Sequence, residues 1–325
     1  MMKEQRPLVS FILTYYNQPV QMLCECINSI LALSLNEDER EIIVVDDGSE
    51  VSPMNGLMQY GDNIIYVRQH NYGVSVARNT ALRMARGKYL QIIDSDDMLL
   101  QAPYEHCISI VKQHPDTEIV LFDFTHDKNH TEASFKTPLL TSGTEFLRNH
   151  NIRGAICCCL FSQSVRGDLA FTPGVAYAED EEFTPQLLIR TEVVRYTETK
   201  AYYYRKHKAS ATHQHDEKSI GKRLDDTRDI IIHLNQLADR QSYNDRLAMQ
   251  RRIAQLTMDY LYNIIILVGS SQELEKRISE LTNQGLFPLP DRDYSQKYKW
   301  FRKMTNTRLG RAILLNTLPL IKKER

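Results

Sequence analysis

The chain has 325 residues, of which 42% are hydrophobic and 25% are charged, and its formal net charge is −1. This length can bury a substantial core and predicts about two domains, and the balanced charge excludes a general affinity for polyanions such as nucleic acids. The six cysteines form no C-x-x-C pair, which favours reduced thiols in a cytoplasmic protein over a disulfide framework.

The first hundred residues alternate short apolar runs with amphipathic segments. Apolar residues take helical spacing after Pro19, and a second helix is predicted at Ser75–Arg86 with Gly87 as its C-terminal cap. The runs typical of buried strands are Leu8–Leu13, Glu41–Val45, Ile64–Val67 and Tyr89–Ile93. Because these strands are apolar throughout and alternate with helices, we predict an α/β fold with a mainly parallel sheet covered on both faces.

The pattern continues to about residue 212 and then becomes helical. The elements predicted in the middle are a helix at Pro103–Gln113, a strand at Glu118–Phe124, a helix from about Gly143, a helix at Glu181–Ile189 and a strand at Thr199–Tyr204. Long helical patterns follow over 217–239, 245–268 and 271–284. We therefore predict two halves of one α/β domain, 1–100 and 101–212, followed by a helical C-terminal region, 213–325.

The last segment, 297–325, contains nine Lys or Arg residues and one acidic residue, interleaved with Trp300, Phe301 and aliphatic residues. Basic amphipathic segments bind anionic membrane surfaces, but a helix that packs back on the protein or forms a homodimer contact would show the same pattern. The N-terminus has no signal-peptide pattern, and the longest apolar run, Ile264–Val268, is too short to cross a bilayer. We expect a cytoplasmic protein, with peripheral contact to the cytoplasmic membrane face as an open alternative.

Three predicted strands end in polar clusters, at Thr14–Asn17, Asp46–Ser49 and Asp94–Asp97. In open α/β sheets, ligands bind outside the carboxyl ends of the strands. The third cluster holds three carboxylates within four residues, which repel one another unless a cation neutralises them. Oxygen ligands suit Mg²⁺ or Mn²⁺, and Mg²⁺ usually combines one or two protein carboxylates with substrate phosphates. The sequence therefore predicts a metal-bridged diphosphate at this edge.

At these positions the sequence resembles the family-2 inverting glycosyltransferases, which have the GT-A fold. The resemblance covers about 7–212, in segments that keep the family's order: Val9–Asn17, Ile43–Ser49, Asn71–Asn79, Ala85–Tyr89, Asp94–Asp97, Glu179–Asp180 and Tyr204–His207. It implies that 1–100 holds a nucleotide-sugar donor and that 101–212 holds the acceptor. The helical region beyond 213 is outside the resemblance.

The resemblance also implies roles for individual residues. Asp180 corresponds to the catalytic base, and Asp96 to the metal ligand, with Asp97 and Asp94 as close alternatives. His207 corresponds to a further metal or phosphate contact. The implied donor contacts are Thr14, Tyr16, Asp46, Arg78, Asp94 and Ser95, with Asp46 accepting a hydrogen bond from the base of a uridine nucleotide. The implied reaction moves a sugar from a UDP-sugar to a hydroxyl of a saccharide or lipid-linked saccharide, with inversion, in synthesis of a cell-surface polysaccharide or lipopolysaccharide.

Simpler explanations remain open for some of these residues. Glu179–Glu182 is typical of a solvated helix start, Arg78 of a surface ion pair and His207 of a surface histidine. A signalling receiver domain is a poor match, because it carries its acidic pair after the first strand, whereas Asp46 and Asp47 follow the second predicted strand. Sugar nucleotidyltransferases and dinucleotide dehydrogenases need a glycine-rich loop that Thr14–Asn17 lacks. A homologue that binds donor without transferring it also stays an alternative.

Overall fold

The computed structural model describes residues 6–152, 154–206, 216–292 and 294–323, so the predicted contact His207 lies outside the described residues. The strands are β1 Val9–Tyr15, β2 Arg40–Asp46, β3 Ile65–Arg68, β4 Tyr89–Asp94, β5 Met98–Leu99, β6 Ile119–Thr125, β7 Leu139–Thr141, β8 Cys159–Ser162 and β9 Val194–Tyr203. The helices are α1 Val20–Leu31, α2 Met54–Leu57, α3 Val74–Met84, α4 Gln101–Gln113, α5 Gly143–Asn149, α6 Gln163–Arg166, α7 Glu179–Leu188, α8 Glu217–Ala238, α9 Tyr243–Leu267, α10 Ser271–Asn283, α11 Gln296–Thr305 and α12 Arg308–Lys323.

The described strands form one sheet in the order β3-β2-β1-β4-β8-β6-β9-β5, with β7 paired to β9. The first four are parallel, β4 and β6 pair antiparallel to β8, and β6 pairs parallel to β9. The fold is therefore α/β with a mixed sheet whose N-terminal half is parallel, as predicted from the apolar strands.

The core explains why the carboxyl ends of the strands are fixed in place. Phe11 and Leu13 of β1 are fully buried in one cluster with Leu23 and Ile27 of α1 and with Tyr104 of α4. Burying each large apolar side chain stabilises the fold by about 1.5–3 kcal/mol. The loops that follow β1, β2 and β4 therefore begin at strands that the core holds in place.

Gly87 differs in role from the prediction. Helix α3 ends at Met84, with Ala85 in an extended conformation, so Gly87 does not cap it. A Cβ atom at Gly87 would lie 2.5 Å from the backbone nitrogen of Ser10, and the Gly87 amide donates to the Ser10 hydroxyl at 2.8 Å. Gly87 is thus a point of close approach between the chain entering β4 and β1.

The chain divides into two compact units, Met1–Phe146 with Gly154–His213, and Leu147–Arg153 with Gln214–Arg325. In the second unit, four helices begin with a side-chain cap that accepts a backbone amide, from Asp216, Ser242, Ser270 and Ser295. Such caps contribute about 1 kcal/mol each. Among the described helices, none is both long and apolar enough to cross a bilayer.

Candidate functional site

The carboxyl ends of β1, β2 and β4 lie side by side. In the sheet register Tyr15 is opposite Asp46, and Thr14 is opposite Asp94. The three polar clusters predicted from the sequence therefore share one edge. Thr14 is half-buried at this edge and Tyr16 is 46% exposed, so both side chains have a face open to a ligand.

Asp46 is fully buried and already has donors on both oxygens. Its Oδ1 accepts the Ser49 amide at 2.9 Å, and its Oδ2 accepts the Tyr66 hydroxyl at 2.9 Å and lies 3.6 Å from Arg68 Nε. These contacts fix the turn after β2. Asp46 is 0% exposed in this structure, and its predicted hydrogen bond to a nucleotide base stays a prediction.

Asp47 ties the end of β2 to the start of α3. Its Oδ1 accepts the Tyr72 amide at 3.0 Å and the Gln69 side-chain amide at 2.7 Å, and its Oδ2 accepts the Gly73 amide at 2.8 Å. One carboxylate thus satisfies two backbone donors of the turn that leads into α3. This turn places Arg78, on the second turn of α3, at the edge of the sheet.

Arg78 lies at the centre of a cluster of acidic side chains formed by Asp94, Glu179 and Asp180. Its Nη2 donates to Asp94 Oδ1 at 3.0 Å, and its Nη1 donates to Glu179 Oε1 and Asp180 Oδ1, each at 2.7 Å. The Phe171 ring lies against the guanidinium, whose carbon is 5.2 Å from the ring centroid. The side chain is only 3% exposed. Arg78 therefore joins the end of β4 to the start of α7 from a buried position and not from the surface, and its predicted contact with a donor stays a prediction.

Glu179 and Asp180 begin α7, where the helix dipole favours acidic residues. Their side chains are 13% and 22% exposed, so the interpretation as a solvated helix start is wrong for this pair. Burial raises the pKa of Asp180 well above the usual range of an aspartate; Arg78 opposes this rise, and Glu179 and Asp94 add to it. The preceding Ala178 has a φ of 62°, a left-handed conformation that is strained for a residue with a Cβ.

Ser95 and Asp97, predicted to contact a donor and a metal, lie in the loop after β4, and their side chains point into the protein. Ser95 is fully buried and its hydroxyl donates to the Gln18 side chain, so in this arrangement it holds the turn after β1. Asp97 is 2% exposed and accepts the Tyr202 hydroxyl at 2.7 Å and the Arg205 amide at 2.8 Å. In this structure Ser95 and Asp97 support the loop from within, and their roles toward a donor and a metal stay predictions.

Arg205 also holds the loop after β4, through contacts of its guanidinium. Its Nε donates to the Asp96 carbonyl at 2.7 Å, and its Nη2 pairs with Glu25 of α1 at 2.6 Å. Asp96 itself is half-buried. The loop is thus held on both sides, and Asp94 and Asp96 remain as its solvent-accessible carboxylates.

These two carboxylates fit a divalent cation that a substrate helps to hold. The Asp94 side chain is 36% exposed and Asp96 is half-buried, and both supply oxygen atoms. Mg²⁺ typically takes one or two protein carboxylates and completes its shell with phosphates and water. Across the part of the chain that the structure describes, no group of three or more His, Cys, Asp or Glu side chains converges on one position. Asp94 and Asp96 can therefore supply the protein's share of such a shell.

Sequence reasoning missed the residues that organise this cluster. Glu179, Phe171 and Tyr202 contact Arg78 or the loop after β4, but they lie about a hundred residues from it in the chain. Of these three, only Glu179 could have been found from the sequence, because it is the neighbour of the predicted base Asp180. The other contacts depend on tertiary packing that a local pattern does not contain.

The mixed sheet of this order has carboxylates at the ends of β2 and β4, and Arg78 joins the end of β4 to the acidic start of α7. This arrangement is a GT-A fold. Residues 10–166 match the sequence model of Glycosyl transferase family 2. Over this segment the chain has the sequence pattern of this family.

Similar proteins agree with this placement. The chain is 25% identical over 207 residues to the minor teichoic acid biosynthesis protein GgaB of Bacillus subtilis (strain 168), which covers 60% of this chain and 23% of that protein. It spans less than two thirds of the length of the curated relatives it matches.

Two solved structures share the fold at 15% identity. S. aureus TarS 1–349 in complex with UDP-GlcNAc has a TM-score of 0.70 and covers 97% of this chain and 91% of that chain. The mannosyltransferase PcManGT from Pyrobaculum calidifontis in complex with GDP-Man and Mn²⁺ has a TM-score of 0.55 and covers 98% and 88%.

Proposed function

We propose that this protein transfers a sugar from a UDP-sugar to an acceptor hydroxyl with inversion, in synthesis of a cell-surface polymer such as a teichoic acid or polysaccharide. The observation that carries the proposal is the contact of one buried guanidinium, Arg78, with both Asp94 and Asp180. It brings a carboxylate suited to a metal-bound diphosphate next to a carboxylate suited to deprotonating an acceptor. The names of relatives support the class of product and donor: one acts in minor teichoic acid biosynthesis, and another is in complex with UDP-GlcNAc.

In the proposed reaction the acceptor hydroxyl attacks the anomeric carbon while the bond from this carbon to the phosphate oxygen breaks. The bonding electron pair leaves with the nucleoside diphosphate, and the hydroxyl proton passes to Asp180. Arg78 holds Oδ1 of Asp180, while Oδ2 makes no hydrogen bond within the described residues and is the atom that accepts the proton. A positioned carboxylate base contributes typically 10²–10⁴-fold in rate. A single displacement with one base inverts the anomeric centre.

The donor would lie along the edge formed by Thr14, Tyr16 and Asp94. Tyr16 offers an exposed ring to the base or ribose, and Asp94 and Asp96 would hold Mn²⁺ or Mg²⁺ together with the diphosphate. When bound, such a cation offsets the negative charge that develops on the leaving diphosphate.

The test uses the purified chain, a panel of UDP-sugars with MnCl₂, and release of UDP with water or added saccharides as acceptor. We expect turnover with at least one UDP-sugar, a loss of 10²–10⁴-fold in Asp180→Asn, and UDP affinity within about threefold of wild type in that variant. Asp168→Asn is the matched control, because Asp168 is 93% exposed and its ion pair, with Arg190, lies at the surface. Full turnover in Asp180→Asn would remove it as the base. Binding of UDP-sugars without any turnover would instead indicate a homologue that only binds donor.

A further inference from the structure

Helix α12 has one apolar face that the described residues leave uncovered. Leu309, Ile313 and Leu320 are 75%, 44% and 64% exposed, and their spacing of four and seven residues puts them on one side of the helix. The opposite side is packed, since Leu314 is fully buried and Arg311 makes a two-point ion pair with Glu275 of α10. The orientation of the helix is therefore set by its inner face, which leaves the three aliphatic side chains in solvent.

The segment that carries this face is rich in cations and has no acidic residue of its own. The segment Gln296–Lys323 contains eight Lys or Arg residues and no Asp or Glu. Two of the eight, Arg302 and Arg311, pair with acids elsewhere in the unit. Lys303 and Arg308 are exposed and make no ion pair with any residue that the structure describes. Trp300 on α11 is 51% exposed and adds an aromatic ring of the kind enriched where membrane meets water.

We propose that this surface, Trp300, Lys303, Arg308, Leu309, Ile313 and Leu320, binds the surface of a bilayer that contains anionic lipid. Helices that lie in a membrane interface combine an apolar face with flanking Lys or Arg, and each basic residue near an anionic surface adds affinity. A second copy of this chain fits less well, because a two-fold interface would bring Lys303 and Arg308 of both copies together, and neither has an ion-pair partner among the described residues. Lysine is also depleted from the cores of protein interfaces.

The test is flotation of the full chain with vesicles of phosphatidylcholine alone or of equimolar phosphatidylcholine and phosphatidylglycerol. We expect binding to the anionic vesicles only, weakened by added salt. The variant Leu309→Ser/Ile313→Ser/Leu320→Ser, and separately Lys303→Gln/Arg308→Gln, should each lower vesicle affinity on the order of tenfold or more. These side chains are exposed, so both variants should keep the wild-type melting temperature.

Met58→Ser is the matched control, because Met58 is 71% exposed but lies in the first unit, and we expect it to bind vesicles like wild type. The proposal is overturned if wild type fails to float with anionic vesicles, or if both surface variants float as well as wild type. It is also overturned if sedimentation shows a dimer of wild type that the triple variant loses, since a second copy would then cover the face. UDP release is measured on every variant and should not change, which separates this proposal from the catalytic one.

Discussion

At the scale of single residues, Arg78 determines whether the site can form. Taking a guanidinium out of water is costly, and here three carboxylates at 2.7–3.0 Å offset this cost. Without the guanidinium of Arg78, Glu179 and Asp180 would be neighbouring, mostly buried anions. The sequence pattern shows the charge of Arg78 but not the three carboxylates that surround it in the fold, and its predicted contact with the donor stays a prediction.

We therefore expect Arg78→Met to lower the free energy of unfolding by on the order of 3 kcal/mol, measured by urea denaturation, and to abolish UDP release. Arg78→Lys keeps the charge, but a single ammonium cannot reproduce the fork that reaches both Asp94 and Glu179. It should recover most of the stability and little of the turnover. Equal turnover in Arg78→Lys and wild type would contradict the positioning role.

The pH dependence of turnover follows from the same contacts. Burial raises the pKa of Asp180, Glu179, Asp94 and Glu181 add to the rise, and Arg78 opposes it. The ionised base predominates only above this raised pKa, so kcat/KM should fall on the acid side at a pH above the usual range of an aspartate. If Arg78→Lys weakens the contact and retains measurable turnover, its acid limb should move to higher pH. An acid limb at lower pH in this variant would contradict the assignment.

At the scale of elements, α7 carries the proposed base, and Gly154 packs against its first turn. A Cβ atom at Gly154 would lie 1.9 Å from Glu181 Oε2 and 2.8 Å from Glu181 Cα. The side chain can move away, but the backbone contact forces a shift of the helix start. We expect Gly154→Ala to destabilise the fold by about 1–3 kcal/mol and to lower turnover further than this loss of stability explains.

The control is Gly221→Ala in α8, where nothing lies within 4 Å of the added Cβ. Alanine is preferred over glycine in a helix interior by roughly 0.5–1 kcal/mol, so this variant should be slightly more stable than wild type. Thermal melting and UDP release of both variants decide the point. If Gly154→Ala and Gly221→Ala behave alike, the close packing at α7 has no role in the site.

Elements with their own local signal could be predicted from the sequence. The apolar runs that became β1, β2, β3 and β4 were found within about two residues, and so were the polar clusters at three of their ends. The short strands β5, β7 and β8 were missed. β8 has four residues that are all buried, begins at the last cysteine of Cys157–Cys159 and pairs antiparallel with β4 and β6, so it has no alternating pattern. The length of β9 was also underestimated, since charged residues at Arg195 and Glu198 interrupt its apolar pattern. Pairings across such sequence distances depend on the assembled sheet.

At the scale of the whole molecule, the proposed donor and metal should act on stability through binding to the native state. A ligand at a hundred times its Kd stabilises the state it binds by about 2.7 kcal/mol, and each kcal/mol shifts the melting temperature of a domain of this size by about 2–4 °C. UDP with MnCl₂ should therefore raise the melting temperature of the full chain by roughly 5–10 °C, and UDP alone should raise it less. Asp96→Asn should remove most of the difference between the two conditions, because it takes away one of the two carboxylates open to the cation. Lys303→Gln/Arg308→Gln should keep the whole shift, since these residues belong to the other compact unit. A shift of the same size with and without Mn²⁺ in wild type would show that the diphosphate binds without the cation, and the metal assignment would fail while the base assignment stood.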